Sequence, residues 1–290
     1  MTNRGQTPSR NERREHAREL ARQTREAEQK RKRRNRFVIQ GSIGAAVVAI
    51  IVVIALVVVN GPAAAPSAGP ANMISDGVVV ADASGSAAAV TTAAIKPDAK
   101  PVATEPRPDA ANIVVYLDYL CPYCGQFETT NGEQINTWVE SGVATVETHP
   151  ISILDRLSAG TRYSTRAANT AACTANLEPD SFLAVNAALF ANQPAENSKG
   201  LSDDELISLA GTAGVEGAKF EKCVTDETFS NWVEAATTRA TDGPLPNSDI
   251  PALKSTPTVI VNGTSYTGSP DDLQAFSDFV TGLIAATPTE

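Results

Sequence analysis

The sequence predicts an α/β domain, one mixed sheet carrying a helical insertion, preceded by a single transmembrane helix. Three observations carry that reading. A run of 23 uncharged residues, Phe37–Val59, separates a basic head from an acidic body. Beyond it the patterned segments run strand, helix, strand, a long Ala-rich helical block, hairpin and helix, which fits two α/β halves sharing one sheet. The four cysteines, at 121, 124, 173 and 223, all lie in the body, and the first two sit at a strand-to-helix junction.

Residues 1–36 hold thirteen Lys/Arg and five Asp/Glu, and the remainder eleven and 28, so a net charge of −9 splits into +8 and −17. Such a chain is read segment by segment. At 1.5 Å per residue the uncharged run makes a helix of about 34 Å, enough to cross a ~30 Å hydrocarbon core with some tilt. The cluster "KRKRRNR" (30–36) abuts its N-terminal end. The positive-inside rule therefore keeps residues 1–36 in the cytoplasm, lets residues 37–59 contact the lipid bilayer, and sends everything after Gly61 outside. A cleaved signal peptide is the competing reading, because "GPAAAPSAGPA" offers small-residue sites. The apolar run exceeds the roughly 7–15 residues of a signal core, which favours a retained anchor. Either way the body is exported. In the head, Glu12, Glu15 and Glu19 are spaced among arginines as on a solvated helix. No aromatic residue or motif points to nucleic acid, so it reads as a topology-setting tail.

Residues 60–73 are a spacer of Ala, Pro, Gly and Ser that buries too little apolar surface to fold. The folded domain is expected over 74–286. "ISDGVVVADASG" (74–85) opens it with a strand on Val78–Val80, and "KPDAKPVATEPRPDA" (96–110) is a Pro-punctuated loop. "NIVVYLDYL" (112–120) reads as a buried strand. The helix after Cys121 offers Phe127, Ile135 and Trp138 to the inside, is weakened by Gly132 and ends at Gly142. "VATVETHPISIL" (143–154) is a second strand, interrupted or bordered by Pro150. Residues 155–242 form several helices with breaks at "EPD", "ANQPAENSKG" and "GTAGVEG", and Trp138, Trp232, Phe182 and Phe190 are core positions. "STPTVIVNGTSYTG" (255–268) is a hairpin about Asn262-Gly263, the pair that tolerates the positive φ angles of a type I′ turn. A last helix starts at Ser269 or Asp271.

A Cys-x-x-Cys pair holds a metal, forms an inert staple or exchanges a disulfide. Zinc takes about four ligands, and here one pair stands with a single histidine in its vicinity, His149, which argues against a metal. A staple between residues already close in sequence gains little loop entropy. Exchange fits the location. Cys121 falls near the first turn of a helix, where free N–H groups and the dipole favour a thiolate. Pro122 is tolerated there. Cys124 lies almost a turn on, so the pair provides an exposed attacking sulfur and a buried resolving one. Neither a metal nor an organic cofactor is implied. Asp118, three residues before Cys121, either tunes the thiols and relays a proton or is a strand-end acid bonded to backbone. His149 belongs at a strand end or near the active site. Cys173 and Cys223 are either a second exchange centre or a clamp between helices.

The stretch "LDYLCPYCGQFE", followed far downstream by "STPTVIVNG", resembles the DsbA-like family of exported thiol–disulfide oxidoreductases, in the membrane-anchored actinobacterial branch that includes MdbA-type enzymes. The resemblance covers roughly residues 74–286. It implies a thioredoxin-like fold with a helical insertion, Cys121 as nucleophile and Cys124 as resolving cysteine. It further implies that Pro257 is the family's cis-proline beside the motif, that Thr256 offers backbone groups to an extended substrate segment, and that Cys173 and Cys223 form a structural disulfide. Asp118 matches an acid common in that branch. The dipeptide Pro122-Tyr123 helps set the potential. The sequence departs from the best-known family oxidant at Tyr123, where that enzyme has His, and at Val115, where it has a buried glutamate. The implied reaction is disulfide donation to the thiols of unfolded exported proteins, with reoxidation by a membrane partner. Two alternatives stand beside it: a reductase or isomerase fed by a membrane electron donor, and a tethered binding domain without catalysis.

Overall fold

The computed structural model describes residues 68–97 and 99–286. The basic tail 1–36, the span 37–59 and the first part of the spacer lie outside the described residues. Among those described, no helix is long and apolar enough to cross a membrane.

Six strands form one sheet in the order β2-β1-β4-β3-β5-β6, with β1 Val78–Asp82, β2 Ala87–Ala89, β3 Ala111–Leu117, β4 Ala144–Pro150, β5 Thr258–Val261 and β6 Thr264–Ser265. β3 and β4 are parallel, joined by the helix α1 (Pro122–Glu140), and the other pairings are antiparallel. Parallel neighbours need such a crossover, and strands covered on both faces read as continuous apolar runs. β3 does so. Ile113, Val115 and Leu117 join the main core with Phe127 and Ile135 of α1, while Val114 and Tyr116 face a second cluster with Ile151, Leu245, Leu253 and Ile260. Phe276, on the closing helix α7 (Leu273–Ala286), meets Phe127 edge-on at 5.2 Å between ring centroids.

The insertion holds α2 Tyr163–Leu177, α3 Phe182–Ala191, α4 Asp203–Thr212, α5 Ala218–Thr225 and α6 Ser230–Asp242, with short 3-10 turns at Asp155–Leu157 and Pro179–Ser181. α2 is its hub. Thirteen of its residues are buried, and the alanines at 167, 168, 171, 172 and 175 let the surrounding helices approach closely. Its one buried cation, Arg166, is satisfied by Asp203 Oδ1 at 2.8 Å and the carbonyls of Leu201 and Thr161 at 2.7 and 3.0 Å. Cys173 on α2 is joined to Cys223 on α5 in a disulfide.

Three expectations change. Residues 69–73, read as the end of the spacer, are built into the domain. Gly69 N–H donates to Ile95 O at 2.8 Å, Asn72 Nδ2 donates to Ala175 O at 2.9 Å, and Met73 is fully buried. Strand β2, absent from the sequence reading, forms because Ser84 and Gly85 take positive φ (61° and 90°) and turn the chain back onto β1. Its three alanines carry no β-forming signal of their own. The last helix is capped by neither Ser269 nor Asp271: Asp272 Oδ1 accepts Ala275 N–H at 3.0 Å. At the hairpin, Asn262 and Gly263 have φ 47° and 81°, the geometry that a two-residue type I′ turn requires.

Candidate active site

Register brings the site together. Tyr116, at the end of β3, pairs with Thr258, the first residue of β5. The residues that follow β3 therefore lie beside those that precede β5. After Leu117 the chain turns through Asp118-Tyr119-Leu120, closed by Cys121 N–H donating to Asp118 O at 2.9 Å. Cys121 is the N-cap of α1 and Pro122 opens the helix, where it loses no hydrogen bond. The peptide bond Thr256–Pro257 is cis. Thr256 O accepts the Cys121 thiol at 3.2 Å.

The two thiols, both free, differ sharply. Cys121 opens onto a groove of about 380 Å³ that it shares with Tyr123, Leu154 and Thr256, and Cys124 does not line that groove. Cys121 is only 5% exposed, far less than the sequence implies, because the Thr256 loop covers it. Its pKa is pushed down to about 6. The main cause is the hydrogen bond from the Cys124 thiol, with smaller help from Thr256 and the N–H groups of Cys124 and Tyr123, all working against burial. Cys124 is pushed well above the ordinary thiol range, first by burial and then by its neighbour Cys121. A thiolate at the helix N-terminus beside a proton-holding thiol is what stepwise exchange requires.

Asp118 is fully buried. Its carboxylate accepts Leu120 N–H and Leu154 N–H, each at 2.9 Å, and so ties the turn before the motif to the insertion. Burial pushes its pKa up to about 7. Asp118 is thus the strand-end acid bonded to backbone that the sequence allows. Glu128, one turn after Cys124, is likewise raised to about 7 by burial, with Asn186 as its hydrogen-bond partner. His149 lies within β4, where Nε2 meets Glu147 Oε1 at 3.0 Å and the ring stacks on Tyr116. Tyr123, within the motif, is 61% exposed.

Gln193 is the residue that sequence reasoning missed. Its Nε2 donates to Tyr119 O at 3.0 Å and Cys121 O at 2.9 Å, so the loop after α3 holds the carbonyls flanking the nucleophile. Gly125 makes room for it, since a Cβ there would lie 2.4 Å from Gln193 Oε1. Gly125→Ala is therefore expected to displace Gln193 and lose two hydrogen bonds of about 1 kcal/mol each, partly offset by about 1 kcal/mol of helix propensity. In a Gln193→Ala background the same change should be neutral or stabilising. Melting temperatures of the four proteins check this. Equal losses in both backgrounds would show that the two residues do not act together.

The thioredoxin family model matches residues 107–280. Reduced DsbA from Mycobacterium tuberculosis is 30% identical, with a TM-score of 0.53 over 73% of this chain and 94% of that one. DsbG, a disulfide bond oxidoreductase of the same organism, is 33% identical, with a TM-score of 0.51 over 61% and 80%. The serine/threonine-protein kinase PknE of that organism shares 34% identity over 108 residues, 36% of this chain. The chain spans about a fifth of that curated relative (19%), so the likeness to PknE is to a part of the kinase chain. With the thiol pair at its helix N-terminus, the chain belongs to the thioredoxin family, as a protein thiol–disulfide oxidoreductase of the DsbA/DsbG type.

Proposed function

We propose that this oxidoreductase works outside the cytoplasm, tethered by residues 37–59, and donates the Cys121–Cys124 disulfide to thiols of newly exported proteins. A substrate thiolate attacks Cys121 Sγ, the Cys121–Cys124 bond breaks, and a mixed disulfide forms. Cys124 leaves as a thiolate and takes up a proton. The second substrate thiol, deprotonated, attacks the substrate sulfur of the mixed disulfide and releases Cys121. Two electrons pass from substrate to enzyme. A separate membrane disulfide donor then reoxidises the pair. Thr256 lies beside Cys121, where its backbone can pair with an extended substrate, and Asp118 and Glu128 are the two nearby acids able to change charge near neutral pH.

The observation that carries the direction is the depressed pKa of Cys121. Its folded value, about 6, lies below the ordinary thiol value of 9.0. Stabilisation of the reduced state is therefore complete above pH ~9 and is lost as pH falls through ~6. A stabilised reduced state makes a strong oxidant. The Cys173–Cys223 disulfide supports the export reading, because such bonds persist in oxidising compartments. Equilibration of residues 68–286 with a glutathione buffer tests the direction. The expected potential lies above the roughly −270 mV of a thioredoxin-type reductant, and a value at or below that would reverse the direction.

A further inference from the structure

The groove at Cys121 carries unspent charge. The body is strongly acidic, yet the groove lining includes two cations, Arg156 and Lys254, and one carboxylate, Glu196. Arg156 and Lys254 are exposed, Glu196 is half-buried, and none of the three is in an ion pair among the described residues. Of the other described cations, Arg107, Arg162, Arg166, Lys222 and Arg239 are each paired with an acid, and the unpaired Lys96, Lys100, Lys199 and Lys219 do not line this groove. Their placement is defined. Lys254 stands two residues before Thr256, on the loop that covers the nucleophile. Arg156 lies in the turn Asp155–Leu157 and lines the same groove. Glu196 is beside Arg156, because Asn197 N–H donates to Leu157 O at 2.6 Å, but it makes no contact that neutralises the arginine. Between these charges the groove is lined by Ile153, Leu154 and Leu253.

We propose that Lys254 and Arg156 are specificity-determining residues that favour substrate segments bearing a carboxylate next to the reacting cysteine. This rests on the oxidoreductase reading above and names its preferred substrate class. An extended segment lying along Thr256 brings the side chains flanking its cysteine into the groove that Lys254 and Arg156 both line. A flanking Asp or Glu gains from both cations. A flanking Lys is repelled by both and attracted by Glu196 alone. Exposed charges of this kind act on encounter more than on the bound state, and salt screens them.

The test uses three dithiol peptides that differ only beside their cysteines, carrying Asp/Glu, Asn/Gln or Lys. Each rate of oxidation by the oxidised domain is divided by that peptide's rate with hydroxyethyl disulfide, which removes differences in peptide thiol pKa. At about 20 mM salt the acidic peptide is expected to react three- to tenfold faster than the neutral one, falling to near parity at about 0.5 M. The ratio should collapse toward one in the K254Q/R156Q double variant and rise in E196Q. The neutral peptide is the internal reference for every variant. A ratio at or below one at low salt, or one that survives the double variant, overturns the proposal. If none of the peptides is oxidised, it is the oxidoreductase reading that fails, and this inference falls with it.

Discussion

Cys121→Ala is expected to reduce oxidative refolding of a reduced protein to the uncatalysed rate, a loss of roughly two orders of magnitude or more. No other described side chain can form the mixed disulfide, since Cys124 is buried away from the groove and holds its proton. Cys124→Ala should behave differently. Cys121 alone has no disulfide to donate. Its thiolate instead attacks oxidised glutathione of the refolding buffer and expels one glutathione thiolate. A substrate thiolate then displaces the second glutathione, leaving a Cys121–substrate mixed disulfide that no Cys124 thiol can reverse. The thiol that contributes most to the low pKa of Cys121 is also gone, so the alkylation midpoint should move up from about 6. Refolding assays with mass analysis of trapped complexes check both. Full activity in Cys121→Ala would leave a binding domain in place of an enzyme.

The second large effect concerns the other cysteine pair. Removing the Cys173–Cys223 bond, which closes a loop of 50 residues, is expected to cost about 4 kcal/mol of stability. For a domain of this size that lowers the melting temperature by on the order of 10 °C. Below that transition the double alanine variant should keep its refolding rate, because the bond clamps α2 to α5 and its sulfurs do not line the Cys121 groove. A refolding rate that falls at temperatures where the variant remains folded would make this pair a second exchange centre.

What could be read from the sequence follows from how local each signal is. The motif "CPYC" after an apolar run states its own chemistry, since a thiol at a helix N-terminus is a property of adjacent residues. The Asn262-Gly263 turn is legible for the same reason, as is the inward face of α1 at Phe127 and Ile135. The misses are contacts between distant segments. Gln193 sits in a polar loop with no periodicity, and its role exists only because α3 delivers it to the carbonyl of Cys121. Residues 69–73 look like linker, yet the insertion captures them: Asn176 Oδ1 accepts Ala71 N–H at 2.9 Å. Strand β2 is three alanines held as a strand by a turn and by pairing with β1. The near-burial of Cys121 was equally hidden, because the cover comes from Thr256, 135 residues away.

The account rests on an unequal pair of sulfurs, and their reactivity against pH measures it most directly. The reduced domain, residues 68–286, is alkylated with iodoacetamide across pH 4 to 10, roughly the range over which thiols titrate, and the modified site is identified by mass. The expected result is a single rise in rate with a midpoint near 6, assigned to Cys121, with Cys124 unmodified throughout the neutral range. A midpoint at the ordinary thiol value of 9.0, or first reaction at Cys124, would contradict it.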